Sequence, residues 1–105
     1  MPVRTVRRVL EYTWDDDKEA ENVRTRGIDF DDAIVALRDP FAIDWFDEDH
    51  SADEPRFVAI GRDLRGRFLA VVTSERRPKP RIISARRATK RERHAYEHQR
   101  PFGPG

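Results

Sequence analysis

Apolar and polar positions alternate loosely from Val6 to Thr13, the period of a first strand, and the pattern then breaks at Trp14-Asp15-Asp16-Asp17. Three successive aspartates favour the positive end of a helix, so Asp15 is read as the N-cap of a helix reaching about Arg26. Gly27 supplies the left-handed residue that closes it, with Ile28 covering the end. Asp29 opens a second helix in which Phe30, Ala33, Ile34 and Leu37 form one apolar stripe, and Asp39-Pro40 stops it because the residue before proline avoids helical geometry. From Phe41 the period becomes two, with Phe41, Ile43 and Trp45 on one side of a strand and Asp44 on the other. An acidic loop from Asp47 to Pro55 follows.

The runs Arg56 to Arg62 and Arg67 to Thr73 read as buried strands, and the short link between them, Asp63 to Gly66, requires an antiparallel pair. Pro78 and Pro80 precede a last strand, Arg81 to Arg86. Thr89 and Glu92 then make the capping box of a final helix that reaches about Gln99. The expected architecture is α+β, in the order β-α-α-β-β-β-β-α: a small antiparallel sheet with two N-terminal helices and one C-terminal helix.

Composition narrows the class. A chain of 105 residues carries one core, so residues 1–105 are read as a single domain. With 39% charged and 37% hydrophobic residues it should fold behind a highly charged surface. It has no cysteine, which excludes disulfides and thiolate metal sites and suits a cytoplasmic setting. No apolar run approaches the roughly 20 residues of a membrane span, and Arg4, Arg7 and Arg8 are not followed by the apolar core of a signal peptide.

The net charge of +1 conceals a division along the chain: residues 15–54 carry four basic and fifteen acidic side chains, whereas the stretch after Glu54 sums to +10. A basic half of this kind suits a polyanion such as RNA. Its arginines sit at strand ends (Arg56, Arg62, Arg67), around the last strand (Arg81, Arg86, Arg87) and, with Lys90, at the start of the final helix (Arg91, Arg93). Arginine gives bidentate contacts to phosphate and stacks on bases.

Other chemistry has less support. His94-Ala95-Tyr96-Glu97-His98 matches the H-x-x-E-H zinc pattern, but only seven residues follow and none is a histidine or carboxylate. The carboxylate runs Asp15-Asp16-Asp17 and Asp31-Asp32 belong to helix starts, and Asp47-Glu48-Asp49 lies in a loop, so no metal site and no cofactor is expected. Ser51, Ser74 and Ser84 lack a nucleophile-elbow context, and Gly61 and Gly66 belong to a hairpin, not a phosphate loop.

Three segments resemble the BrnT family of toxins from bacterial type II toxin–antitoxin modules, which share the RelE-like fold. Trp14-Asp15-Asp16-Asp17-Lys18, Asn22 and Gly27-Ile28-Asp29-Phe30 match a W-D-x-x-K-x-x-x-N opening and a G-[IV]-x-F junction. Glu54-Pro55-Arg56 through Ile60-Gly61 matches an E-x-R-x-x-x-I-G strand. Ile83-Ser84-Ala85-Arg86, Ala88, Glu92-Arg93 and Tyr96 match an I-S-A-R-x-A-x-x-x-E-R-x-x-Y ending. The matched core covers about residues 12–97, leaving residues 1–8 as an extension and 101–105 as a tail. Where family members carry Lys-His-Gly or Arg-His-Gly at the junction, this chain has Thr25-Arg26-Gly27.

The resemblance implies a metal-independent endoribonuclease toxin that inhibits growth until its antitoxin binds. The implied partner is a ribbon-helix-helix, BrnA-like antitoxin, in a heterotetramer of two toxins and two antitoxins that binds operator DNA. In such cleavage the 2′-hydroxyl attacks the adjacent phosphorus, so the enzyme stabilises the added charge and manages two proton transfers. Arg56 and Arg86 are the candidates for charge stabilisation and Lys18 for added charge or proton donation. Glu92 is the candidate base, alongside its capping duty, and Tyr96 the candidate for stacking on a base. Arg62, Arg67, Arg81, Arg87, Lys90, Arg91 and Arg93 are expected to hold the RNA. The missing histidine keeps an alternative open: a non-catalytic, degenerate toxin that binds RNA, or binds its antitoxin as a corepressor.

Overall fold

A computed structural model of the chain describes residues 11–50, 54–75 and 78–101. The elements are β1 (Thr13–Trp14), α1 (Asp16–Arg26), α2 (Phe30–Leu37), β2 (Ile43–Phe46), a short 3-10 turn (Glu48–His50), β3 (Arg56–Arg62), β4 (Phe68–Ser74), β5 (Arg81–Arg87) and α3 (Lys90–Glu97). The order is the one the sequence pattern gives. The five strands form one sheet in the order β1-β5-β4-β3-β2. Most of the first strand read from the sequence, Val6 to Leu10, lies outside the described residues, as do Ser51 to Asp53 of the acidic loop and the tail beyond Pro101.

The helix ends follow from local chemistry. Asp15 accepts the backbone N–H of Asp17, Asp29 accepts that of Asp32, and Gly27 closes α1 in the left-handed conformation with φ 69°. Helix α3 stops at Glu97, two residues before the expected end: Gln99 turns to φ 50°, and its amide donates to the carbonyls of Tyr96 and Phe41.

The sheet is antiparallel except at one edge, where β1 runs parallel to β5 through Thr13–Arg81 and Trp14–Ile82. A pairing across 68 positions of sequence leaves no local trace. Because β1 is two residues long, β5 would have a bare edge beyond it. Asn22 of α1 closes that edge: its side-chain amide donates to the Ala85 carbonyl at 2.9 Å and accepts the Ala85 N–H at 3.1 Å. Asn22 also donates to the Ile28 carbonyl and is the one buried residue of an otherwise polar helix. A hydrogen-bonded side chain, more than an apolar face, seats α1 on the sheet.

The two faces of the sheet are covered differently. On one, α2 lays Phe30, Ala33, Ile34 and Ala36 over Leu69, Val71, Ile82 and Ala85, with Trp14 edge-on to Phe30 at 6.1 Å. The α2 backbone comes so close that a Cβ on Gly61 would sit 2.0 Å from the Ala36 carbonyl oxygen, so only glycine fits there. On the other face α3 packs Tyr96 against a smaller cluster of Val58, Ile60 and Ala70, joined by Ile43, Trp45, Val72 and Ala88. Phe41, expected in β2 on one side with Ile43 and Trp45, lies before the strand and is 62% exposed.

Candidate functional site

The strand register sorts the arginines. Arg56 pairs with Ser74, and Ser74 with Arg81; Arg62 pairs with Phe68, and Ala70 with Arg86. Cross-strand partners share a face and alternate residues along a strand return to it. Arg56, Arg62, Phe68, Arg81 and Arg86 therefore lie on the α3 face, with Val58, Ile60 and Ala70. Arg87 pairs with Leu69 and points to the opposite side, where it is exposed.

At the junction of β5 and α3 the capping box sets the geometry. Thr89 Oγ1 accepts the Glu92 N–H at 3.2 Å, and Glu92 Oε1 accepts the Thr89 N–H at 2.8 Å, which folds the carboxylate back beneath the helix. There Arg86 meets it with two parallel bonds, at 2.7 Å to Oε1 and 2.9 Å to Oε2. Glu92 is 4% exposed, whereas the Arg86 side chain keeps about a third of its surface open. Burial pushes the Glu92 carboxyl up, but the Arg86 guanidinium and the Thr89 donors outweigh it and hold the group below the usual carboxylate range. The same pairing raises the Arg86 pKa against the opposing effect of burial. Glu92 is thus a buried, ionised partner of Arg86. It aims the guanidinium and is poorly placed to take a proton from a substrate, which departs from the role of base read from the sequence.

A second group lies across β4. The guanidinium of Arg93 sits 4.3 Å from the centre of the Phe68 ring and that of Arg62 sits 5.0 Å from it, while Tyr96 meets the ring edge-on at 5.4 Å. The Tyr96 hydroxyl donates to Asp39 Oδ2 at 2.6 Å. Burial and that bond push the Tyr96 phenol up to about 12. Asp39 also accepts the backbone N–H groups of Arg62 and Phe41 at 2.9 Å, and these bonds hold its carboxyl low despite burial. Asp39 was legible only as the residue before a proline. Its role as an anchor joining α2, β3 and α3 depends on contacts 23 and 57 positions away.

The remaining candidates are dispersed. Arg67 is pinned on the α1–α2 side: it donates to Asp63 at 2.7 Å, to Asp32 at 2.8 Å and to the Gly27 carbonyl at 3.2 Å, with its side chain 15% exposed. It serves as a structural bolt, contrary to the expectation that it faces RNA. Arg81 approaches Asp15 at 3.9 Å. Lys18 is exposed one turn before Asn22, on the helical stripe that runs beside the β5 edge, and makes no contact with Arg86. Lys90 and Arg91 border a separate hollow of about 410 Å³ with His94 and Arg100.

No group of three or more histidine, aspartate or glutamate side chains able to hold a metal occurs among the described residues. The His94 and His98 rings stack at 4.1 Å, His98 Nδ1 lies 3.0 Å from the His94 carbonyl, and Glu97 pairs with Arg93. Among the described residues no helix is long and apolar enough to cross a membrane.

The sequence profile of the family described as "Ribonuclease toxin, BrnT, of type II toxin-antitoxin system" matches residues 14–92. The crystal structure of the Brucella abortus ribonuclease toxin BrnT is similar to this chain with a TM-score of 0.58 and 27% sequence identity, over 75% of this chain and 96% of that one. No curated protein sequence matches. The profile spans the Asn22 edge clasp, the Arg56 strand and the Arg86–Glu92 pair in one continuous match, and the chain belongs to the BrnT family of ribonuclease toxins of type II toxin–antitoxin systems.

Proposed function

We propose that the chain is an endoribonuclease toxin that binds single-stranded RNA over the α3 face of its sheet and cleaves it without a metal, by attack of the 2′-hydroxyl on the adjacent phosphorus. The observation that carries this reading is the Arg86–Glu92 pair. A buried carboxylate holds by both oxygens a guanidinium on a side chain about a third exposed, on the same face as Arg56 and Arg62. A guanidinium fixed in this way is preorganised for the charge that develops on a phosphoryl group, and it keeps N–H donors free for that purpose.

In this mechanism Arg86 and Arg56 stabilise the developing negative charge and Glu92 positions Arg86. The attacking 2′-hydroxyl gives its proton up to solvent water, and Lys18, beside the β5 edge, donates a proton to the departing 5′-oxygen. Arg62, Arg81, Arg93 and the α3 cations Lys90 and Arg91 hold the RNA chain, with Arg87 contacting flanking phosphates. Tyr96 supports Phe68 and the two arginines that stack on it, and so acts on RNA through them. Arg67 is left out, since its donors are used internally. An antitoxin of ribbon-helix-helix type, in an assembly of two toxins and two antitoxins that binds operator DNA, silences the enzyme in the cytoplasm by covering this basic face.

Two features favour a second reading, a non-catalytic toxin acting as an RNA- or antitoxin-binding corepressor. The carboxylate nearest Arg86 is consumed by it, and the junction where the resemblance implies a histidine holds Arg26.

Incubation of the purified protein with total cellular RNA in EDTA separates the two. The enzyme reading expects new fragments ending in 2′,3′-cyclic phosphate, and a loss of about 100-fold in rate for Arg86→Ala, the scale of removing one preorganised charge-stabilising donor. RNA left intact by stoichiometric, folded protein overturns it and leaves the corepressor reading standing.

A further inference from the structure

Next to Arg62 the surface opens into a cleft of about 740 Å³ between the end of α2, the β3–β4 turn and α3. That size falls among small-molecule binding pockets. Two carboxylates line it, and both are satisfied from within. Asp39 accepts the Tyr96 hydroxyl and two backbone N–H groups, and Asp63 accepts from Arg67 and from the backbone of Arg65 and Arg67. What the cleft leaves free to bond a ligand is therefore guanidinium and aromatic ring. Arg38 lines it with a guanidinium that has no hydrogen-bond or ion-pair partner among the described residues. Phe41 also lines it, with 62% of its surface exposed and no ring partner among the described residues.

The cleft also continues the proposed RNA face. Two strand spacings and two residues along the strand put the Cα atoms of Arg86 and Arg62 about 12 Å apart. The Phe68 ring, with Arg93 on it, fills the interval. A strand of RNA held at Arg86 and tracked by Arg93 and Arg62 arrives at the cleft within a few nucleotides.

We infer that this cleft is a nucleobase pocket selective for guanine, stacking the base on Phe41 and reading it with Arg38; the inference rests on the reading of the α3 face as an RNA surface. Among the purines guanine alone presents two adjacent acceptors, O6 and N7, that match the two parallel N–H groups of a guanidinium. Adenine places an amino donor where O6 would be and leaves Arg38 with a repelled N–H. Of the pyrimidines, uracil has a donor at N3 between its carbonyls, and cytosine, whose O2 and N3 are adjacent acceptors, offers Phe41 only a single ring to stack on. The exposed Leu64 that also lines the cleft would suit an apolar protein partner, but an unpaired guanidinium beside two saturated carboxylates favours an electronegative base edge.

Fluorescence anisotropy with short 2′-fluoro RNAs, which lack the attacking hydroxyl, tests the pocket. A single guanine in a uridine background is compared with adenine, inosine or 7-deazaguanine at the same position. Guanine and inosine should bind about tenfold or more tighter than adenine and 7-deazaguanine, the discrimination of one bidentate base contact. Arg38→Ala should erase that difference, and Phe41→Ala should weaken guanine and adenine alike. Arg86→Ala should lower the affinity of every oligonucleotide, because it removes a phosphate contact.

A guanine preference that survives Arg38→Ala overturns the pocket and leaves the RNA surface standing. So does a uniform loss across all bases, which makes Arg38 another phosphate ligand. Wild-type protein with no base preference, whose antitoxin binding is lost in Phe41→Ala and Leu64→Ala, also overturns it and assigns the cleft to protein docking. If the folded wild type binds none of these oligonucleotides at low salt, the RNA surface itself is refuted, and the pocket with it.

Discussion

The two sides of the sheet use the same residue type for opposite ends. On the α1–α2 side Arg67 has its donors distributed among Asp63, Asp32 and Gly27, and little of its side chain remains in contact with water. On the α3 side Arg86 is gripped at one edge by Glu92 and keeps about a third of its side chain open, while Arg62 and Arg93 lie on an aromatic ring. An arginine whose whole fork is satisfied internally holds a fold together. One anchored on a single side is a preorganised donor.

Exchanging arginine for alanine should cost stability on both sides and activity on only one. Arg67→Ala leaves Asp63, whose side chain is fully buried, without its cation, and should cost about 3 kcal/mol in urea unfolding, the scale of a buried pair that loses one partner. Its cleavage rate per folded molecule should match wild type. Arg86→Ala leaves Glu92, 4% exposed, without its cation and should cost a similar amount in stability, while also losing most of the activity per folded molecule. Equal activity losses in the two variants would erase the distinction.

That contrast was only partly visible in the amino-acid sequence. The helix starts at Asp15, Asp29 and Thr89 rest on a side chain and a backbone N–H two or three residues apart, so local pattern suffices to find them. The antiparallel β3–β4 pair follows from a short turn for the same reason. The parallel β1 edge, the Asn22 clasp on Ala85 and the Asp39 anchor each depend on partners tens of residues distant. Arg67 and Arg86 look alike as letters in a basic half, because a sequence shows the sign of a charge and hides its partner. Glu92 displays its capping box openly, yet its hold on Arg86 appears only once β5 and α3 are brought together.

Acid should sharpen the comparison with an intermediate effect. Asp63 on one side, and Glu92 and Asp39 on the other, all have folded pKa values below their ordinary ones, because hydrogen bonds and neighbouring cations outweigh the upward push of burial. Each therefore binds its proton less readily when folded. Its contribution is fully present above the unfolded value, about 4, and is lost as pH falls through the lower folded value. Melting temperature should be flat near neutrality and should drop increasingly below about pH 4. In Arg67→Ala, whose Asp63 has lost the cation that lowers it, that acid drop should be shallower. An equally steep drop would show that Asp63 owes its ionisation to the backbone donors alone.

The smallest effect belongs to Tyr96. Its hydroxyl donates to Asp39, but Asp39 keeps two backbone N–H donors when that bond is removed, so Tyr96→Phe strands no buried charge and should cost about 1 kcal/mol. The ring remains edge-on to Phe68, so the stack of Arg62 and Arg93 should persist and cleavage should fall by no more than a few-fold. With its phenol pushed up to about 12, Tyr96 stays protonated across the neutral range and shapes no part of the pH–rate curve there. The profile of Tyr96→Phe from pH 6 to 9 should therefore run parallel to wild type. A limb that disappears in this variant would make Tyr96 a proton-transfer group in contact with RNA, and would bring the reacting phosphate close to the Asp39 cleft instead of to Arg86.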